Sequence, residues 1–354
     1  MTAELRPIAI LGGAGFIGAN LAAHLLGAGH RVRIYDNLSR SGVGRNAGWL
    51  REVYGARVEV VIADIRDRDR LRAALAGTAA VFHFAGQTAV TTSLDDPRAD
   101  FEINAAGTLE VLEALRAQPS PPPLVYTSTN KVYGTLPDIC LIAQGERWRP
   151  ADDGLHDRGI DERRRVEPRT PYGCSKACAE QYVLDYAHGF RLPAAVFRMS
   201  CIYGPHQLGT EDQGWVAHFL IRALAGAPIT IYGDGRQVRD VLYVDDLVDA
   251  LVRAWQQIDL VAGSAFNIGG GPRNTLSLLE LVDAIGRLSG RRPELRFEDW
   301  RAGDQRYYVS DPRAFTAATG WRPRVSPHAG VEQLLGWLVE QAGQRAGARE
   351  GSYA

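Results

Sequence analysis

The chain has 354 residues, 45% of them hydrophobic and 23% charged, with a formal net charge of -1. That length exceeds one small domain and supports two lobes on a large shared core. The balanced charge gives no support to a nucleic-acid partner, which needs a basic face, and no apolar stretch reaches the ~20 residues of a membrane span.

Strand and helix signals alternate from the start. Ile8–Leu11 is a short apolar run, followed by glycines and an apolar-periodic helix over 16–26. Further strands are predicted at 31–35, Val58–Ile62, 80–84 and 124–128, with helices at 71–75, 101–116 and 172–186. Residues 119–123 are a proline-rich loop, and Ala194–Met199 closes the series. Strands separated by helices require right-handed crossovers and a parallel sheet covered on both faces. The expected fold is therefore α/β, a doubly wound parallel sheet of the Rossmann type over residues 1–200. Beyond Tyr203 short strands (Ile229–Tyr232, Val238–Tyr243, Ala265–Ile268, 294–297) mix with helices near 244–257, 276–288 and 331–342. This pattern predicts a smaller C-terminal substrate-binding lobe over 201–345 that can return elements to the main sheet. The Gly/Ala-rich tail from Gly343 is expected to fray.

Arg163, Arg164 and Arg165 sit beside Asp161, Glu162 and Glu167 and read as a solvated loop. Residues 1–7 lack the basic and apolar regions of a secretory signal. Cys140, Cys174, Cys178 and Cys201 make neither a CxxC pair nor a disulfide framework, so a reducing, cytoplasmic compartment is expected. Cys174 and Cys178 fall at i, i+4 without histidine partners and read as small buried residues; no metal site is expected.

Gly12-Gly13-Ala14-Gly15-Phe16-Ile17-Gly18 lies between the first strand and the first helix. Glycines there permit a tight turn, backbone contact with a pyrophosphate and close helix–strand packing. The helix N-terminus adds free N–H groups for the phosphates. Asp36 ends the second strand, where a carboxylate accepts bonds from ribose hydroxyls and repels a 2′-phosphate, so NAD is favoured over NADP. Arg33 and Arg40 keep the NADP alternative open. Asp64 and Ile65, at the end of the third strand, are either adenine contacts or strand-end structure.

Tyr172 and Lys176 are spaced to share one face of a helix. A nearby ammonium is expected to lower the tyrosine pKa, so that the phenolate takes a proton from a carbinol. Thr129 ends a strand after the Gly-rich loop, where hydroxyls face the ligand crevice of an open sheet, and is expected to bind the same carbinol oxygen.

The Gly-rich loop, Asp36, the Thr129–Tyr172–Lys176 set and the element order resemble the extended short-chain dehydrogenase/reductase superfamily. Further resemblance lies in His83-Phe84-Ala85-Gly86-Gln87, the helix with Asn104, Arg239-Asp240, Tyr243-Val244-Asp245-Asp246 and Asn267-Ile268-Gly269-Gly270. Three segments, at 128–134, 171–176 and 212–216, are similar to the CDP-paratose/CDP-tyvelose 2-epimerase branch. Dehydratases of the superfamily carry Asp-Glu after the catalytic threonine, whereas this chain has Asn130-Lys131, which argues against dehydration. The resemblance implies an NAD-dependent nucleotide-sugar epimerase, with a UDP-hexose 4-epimerase or a dehydratase as the alternative. It places NAD against Gly12, Gly15, Phe16, Ile17, Gly18, Asp36, Asn37, Arg40, Asp64, Ile65, Phe84, Ala85, Gly86 and Lys176. It implies Thr129, Tyr172 and Lys176 as catalytic residues, Gln87, Asn130 and Lys131 against the sugar, and Arg239 and Arg306 on the diphosphate of a CDP-sugar. Gln213 and Trp215 are expected in the nucleotide pocket, with a core tryptophan as the alternative; Asn104 reads equally as structural. His206 stands where many relatives place arginine, and residues 135–170 read as a lid or rim. The two long helices imply a homodimer or homotetramer.

Overall fold

Runs of buried apolar residues form the strands of the central sheet in the computed structural model, which describes residues 6–350. β1 (Ile8–Leu11), β2 (Val32–Asp36), β3 (Val58–Ile62), β4 (Ala80–His83) and β5 (Leu124–Thr129) are joined by strands at Ala194–Met199 and Ala265–Ile268. All pairings are parallel, in the order Ala265–Ile268, Ala194–Met199, β5, β4, β1, β2, β3. The order reverses between β1 and β4, which opens a crevice beyond the carboxyl ends of the strands. Alternate residues of β1 feed different cores. Ile8 and Ile10 pack with Leu25, Phe82 and Phe197, whereas Ala9 and Leu11 pack with Val81, Leu115 and Tyr126.

The series does not close at Ala194–Met199. Ala265–Ile268 comes back from the C-terminal part as the edge strand, with Ala265 opposite Val196. The helix expected at 101–116 begins earlier, at Pro97, where the Asp96 side chain caps the Ala99 N–H. It passes through a π-turn at Glu102–Ala106 and continues as Gly107–Arg116. Such turns interrupt the ordinary helical ladder and gather at functional sites; this one carries Asn104. A helix at Val43–Tyr54 escaped the sequence reading, its periodicity broken by Gly44 and Gly48.

The C-terminal part builds a second sheet from Cys201–Tyr203, Val238–Tyr243, Thr275–Ser277 and Tyr307–Tyr308. Helices Trp215–Leu224, Leu278–Ser289 and Pro327–Glu350 accompany it around a third apolar cluster that includes Phe219, Ile231, Leu281 and Leu334. The last helix runs through the expected frayed tail as far as Glu350, because Ala, Gln, Arg and Glu there are strong helix formers; residues 351–354 lie outside the described residues. The segment expected as a lid is fastened down in part. A hairpin of Leu141–Gln144 and Arg147–Pro150 is pinned by Arg147 to Glu280 (2.5 Å) and by Trp148 to Asp234 (2.9 Å).

Helix Pro171–Gly189 turns Tyr172, Ser175, Lys176, Ala179 and Glu180 inward. Cys174 and Cys178 therefore fall away from the buried stripe. Cys174 is exposed and Cys178 partly so, against the expectation of burial. Glu180, fully buried, accepts from the Arg198 guanidinium at 2.7 and 3.1 Å and from Ser128 Oγ at 2.6 Å. Arg198 also donates to Tyr133 Oη (3.0 Å), which bonds Asn267 Oδ1 at 2.8 Å. The network thus ties helix Pro171–Gly189 to β5, to Ala194–Met199 and to the edge strand. Removing one partner of a buried pair strands the other charge and typically costs about 3–5 kcal/mol. Arg198→Met is expected to lower unfolding stability by about that much, measured by urea denaturation; a change below about 1 kcal/mol would show that the pair does not hold these elements together.

Candidate active site

The crevice at the strand ends is a cleft of about 520 Å³ lined by the Gly-rich loop, the ends of β2, β3 and β4, and residues of the 206–213 loop. Gly12 has φ +76°, and a Cβ there would lie 2.6 Å from Ala85 N. A Cβ on Gly18 would lie 2.4 Å from Gly12 O, so the helix start and the loop touch only because that side chain is absent. The helix following the loop, α1 (Phe16–Gly27), has Gly15 as N-cap and no side-chain cap. Its first-turn N–H groups and dipole are thus left for an anion.

Asp36 Oδ2 accepts from Ala14 N (3.0 Å) and Oδ1 from Leu38 N (2.9 Å), which fixes the carboxylate at the cleft wall. Burial raises its pKa, opposed by the N–H donors and by Arg40. Each oxygen keeps a lone pair for a ribose hydroxyl. Arg40 lines the cleft and reaches Thr88 Oγ1 at 3.3 Å. Arg33, in contrast, is spent on Glu59 (2.7 Å) and the Ala74 carbonyl (2.7 Å) and is not among the lining residues, which weakens the NADP alternative. Asn37, Asp64, Ile65, Phe84, Ala85, Gly86, Gln87 and Gln213 all line the cleft with Gly12, Gly15, Phe16, Ile17 and Gly18. Asp64 is held by Arg66 (2.8 Å) and Asn37 (3.0 Å), and hydrogen bonding to Arg66 holds its carboxyl well below the usual range. A glycine cradle, an uncapped helix start and a ribose-height carboxylate fit a dinucleotide with a free 2′-hydroxyl.

At the carboxyl end of β5, Thr129 is buried, and its Oγ1 accepts from Lys131 N at 3.2 Å. Helix Pro171–Gly189 is capped by Thr170, whose Oγ1 accepts from Gly173 N at 3.1 Å; this sets Tyr172 in the first turn. Hydrogen bonding with Thr129 lowers the Tyr172 pKa, but burial dominates and pushes it up to about 12. Lys176 does not exert the expected lowering effect here. Its Nζ donates to the Thr127 carbonyl at 2.5 Å and sits 4.3 Å from the Tyr126 ring centroid. Burial pushes its own pKa down to about 7, against Glu180 and Asp100.

Asn104 is wholly occupied. Its Oδ1 accepts from Gln87 N (2.9 Å), and its Nδ2 faces Gln87 O, Asp100 Oδ1 and Ser175 Oγ at 3.0–3.1 Å. It braces the cleft floor against the Tyr172 helix, the structural alternative of the sequence reading.

Lys131 and Lys176 are the only lysines of the chain. Lys131 Nζ donates to Gly303 O at 3.2 Å and lies 3.6 Å from Asp304, which also pairs with Arg239 at 2.7 Å. Burial lowers the Lys131 pKa. Arg239 and Lys131 thus meet through Asp304. Asn130 is buried at the start of the short turn Asn130–Tyr133. Arg306 does not join them: its side chain is exposed, its guanidinium 5.1 Å from the Trp300 ring centroid. Arg301, which sequence reasoning passed over, lies against the Tyr232 ring (3.7 Å) and 3.6 Å from Asp212, beside Gln213. Trp215 packs against the third apolar cluster, the core alternative. Sequence reasoning also missed Thr88, whose hydroxyl donates to Gln213 Oε1 at 2.8 Å across the cleft. No local pattern marks a partner 125 residues away. His206, at φ +64°, lines the cleft with its ring stacked 4.1 Å from Trp49, and burial pushes its pKa down to about 4. A neutral ring therefore lines this part of the cleft.

Lys176 is the unusual case of a base whose folded pKa, about 7, lies below its unfolded value near 10.5. Below pH 7 both states hold the proton and the folded state bears the full cost of burying it. Between pH 7 and about 10 the unfolded state binds more protons, so the cost fades as pH rises. Lys176→Met is expected to raise the urea midpoint at pH 6 and to lose that advantage progressively toward pH 9; an advantage independent of pH would show that the buried ammonium is not its source.

The NAD dependent epimerase/dehydratase family matches residues 8–269. The chain is 41% identical over 337 residues to the CDP-paratose 2-epimerase of Salmonella typhi, covering 93% of this chain and 98% of the relative. It is 33% identical to the UDP-glucose 4-epimerase of Mycolicibacterium smegmatis, over 92% and 96% of the two chains. Among solved structures, the Thermotoga maritima UDP-glucose 4-epimerase with UDP-glucose superposes with a TM-score of 0.81 at 28% identity, covering 95% of this chain and 99% of that one. The Bacillus cereus UDP-glucuronic acid 4-epimerase in complex with UDP-glucuronic acid and NAD gives 0.81 at 26% identity, with the same coverage. By the match over residues 8–269 and the near-complete coverage of these relatives, the chain belongs to the NAD dependent epimerase/dehydratase family.

Proposed function

We propose that this enzyme interconverts the C2 epimers of a CDP-activated sugar, CDP-paratose and CDP-tyvelose. The observation that carries the reading is the pairing of a Thr129–Tyr172–Lys176 site with an ammonium, Lys131, where dehydration needs a carboxylic acid. The likeness to the Salmonella typhi 2-epimerase, over nearly the whole of both chains, supports the choice of carbon and nucleotide.

Bound NAD supplies reversible hydride storage, so no net redox change accompanies turnover. Gly12, Gly15 and Gly18 let the backbone approach the cofactor's phosphates, and Asp36 holds its ribose. Tyr172 Oη takes the proton of the sugar's C2 hydroxyl as that carbon is oxidised to a ketone, and gives it back when the other face is reduced. Thr129 holds the same oxygen, and its contact with Tyr172 favours the phenolate. Lys176, its amine turned to the Thr127 carbonyl, is placed in this reading against the nicotinamide ribose. C2 has no neighbouring carbonyl to acidify its hydrogen, which is why oxidation is the accessible route to inversion.

Lys131, Asn130 and Gln87 face the sugar in this reading, and Arg239 with Arg301 serves the diphosphate. Arg301 replaces Arg306 in that role because it lies beside the Asp212–Gln213 stretch. The exposed Phe101 and Tyr182, on the two long helical segments, supply apolar surface for a homodimer.

The test is proton NMR of the NAD-loaded enzyme with CDP-paratose in heavy water. Conversion to CDP-tyvelose without deuterium at C2 is expected. Deuterium at C2 would refute direct hydride return, and conversion of a UDP-hexose at C4 alone would favour the 4-epimerase alternative. Tyr172→Phe is expected to keep the fold and the bound NAD while lowering turnover by at least about 100-fold, the scale of a lost general base; full turnover would remove Tyr172 from the base role. Asp36→Ala is expected to weaken NAD and narrow its margin over NADP in a binding titration, and an unchanged margin would mean that Asp36 is not the ribose contact.

A further inference from the structure

We propose that Gln305 is a positioning residue of this reaction: its buried side-chain amide clamps the turn Asn130–Tyr133 and so holds Asn130 and Lys131 against the sugar. The proposal rests on the sugar-facing role given to those two residues above.

Gln305 is fully buried, on the approach to the strand Tyr307–Tyr308. Its Nε2 donates to the Gly134 carbonyl at 2.7 Å and faces the Asn130 carbonyl at 3.5 Å. Both neighbours are acceptors, so the amide must turn its nitrogen to them. One NH2 group thus reaches the carbonyls at the two ends of the turn, from 175 and 171 residues away. The opposite atom, Oε1, is buried with no hydrogen-bond partner among the described residues. A buried acceptor left unpaired is costly. An apolar side chain of the same size avoids that cost at the expense of the two carbonyls, so the glutamine is kept for what its nitrogen holds.

The turn has the chemistry on both sides. It follows Thr129 directly, and a Cβ on Gly173, next to Tyr172, would lie 2.8 Å from the Lys131 carbonyl. Its far half has anchors of its own: Val132 and Tyr133 pack with Tyr308, and the Val132 carbonyl accepts from Glu167 N at 2.8 Å. The near half is tied to the C-terminal lobe through three successive residues. Gly303 O accepts from Lys131 Nζ at 3.2 Å, Asp304 lies 3.6 Å from the same nitrogen, and Gln305 holds the backbone. Gln305 N also donates at 2.9 Å to Asp304 Oδ1, the oxygen that pairs with Arg239. Main chain and side chain of this residue therefore serve different ends. The N–H supports the diphosphate side through Asp304 and Arg239, and the amide supports the sugar side. A substitution at 305 keeps the first and removes the second.

Gln305→Met and Gln305→Leu fill the site without a donor, and two variants keep a packing fault in one from deciding the matter. In NAD-loaded enzyme each is expected to lower turnover of CDP-paratose about 10- to 100-fold, the scale of a misplaced reacting group. The affinity for CDP, which lacks the sugar to be epimerised, is expected to stay at the wild-type value in a binding titration. Unchanged turnover in either folded variant, or a loss of CDP affinity that matches the loss of turnover, overturns the proposal. A second readout needs no substrate. Lys131 and Lys176 are the only lysines, so lysine labelled by carbon-13 at Cε gives two side-chain signals, which Lys176→Arg assigns. The Lys131 signal is expected to move in both variants with the Lys176 signal in place; an unmoved Lys131 signal, or equal shifts of the two, overturns the proposal. If the wild type leaves CDP-paratose unchanged, the function proposed above fails, and the lysine signals alone decide the role of Gln305.

Discussion

One buried carboxylate, Glu180, fixes the relative positions of the elements that carry the chemistry. Its oxygens join the helix of Tyr172 and Lys176 to Arg198 in the next strand and to Ser128, the neighbour of Thr129. Through Arg198 the tie extends to Tyr133 and on to Asn267 of the edge strand. A buried ion pair adds little net stability, because desolvation offsets the attraction. Its contribution here is positional: any slip of the helix along β5 breaks charged hydrogen bonds in a dry interior. The threonine at a strand end and the tyrosine at a helix start are brought to one point by that requirement.

The cofactor cleft follows from a different constraint. Parallel strands whose order reverses leave a crevice at their carboxyl ends, whatever the sequence. What this sequence adds is permission to approach it. Without a Cβ at Gly12 and Gly18, loop, helix and β4 close to contact distance and the first-turn amides stay bare. Asp36, the ribose contact of the proposed function, is held through two backbone N–H groups, which keep its remaining lone pairs outward.

Much of this was legible in sequence, for local reasons. Val58–Ile62 and Ala194–Met199 are apolar runs bounded by breakers, and the Gly-rich loop sits between a strand and a helix. What escaped has a non-local cause. That the smaller lobe can return an element to the main sheet was expected, but that the element is Ala265–Ile268 shows only in its pairing with Ala194–Met199. Arg306 and Arg301 are alike in sequence, and only the fold shows one against Trp300 at the surface and the other beside Asp212. The i, i+4 spacing of Tyr172 and Lys176 was read as a charge contact. A shared helical face fixes neither the direction of a long side chain nor its solvation, and here the amine turns to Thr127 while burial governs both groups.

Composition supplies a last argument about the site. Of 40 lysines and arginines only Lys131 and Lys176 are lysine, and both lie in it, partly or wholly buried. Elsewhere arginine serves: it caps carbonyls, as Arg57 does for Leu26, and pairs with surface carboxylates, as Arg66 does with Asp64. A guanidinium cannot lose its proton at working pH and spreads its charge over a planar fork. An ammonium is compact, fits between a carbonyl and a ring, and has a pKa that burial can bring near neutrality. Lys176 meets each of those conditions, with its Nζ between Thr127 O and Tyr126 and its pKa pushed down to about 7. Lys131 shares the burial and the lowered pKa, and sits between a carbonyl and a carboxylate. Both lysines of this chain therefore stand where burial lowers the pKa of the ammonium.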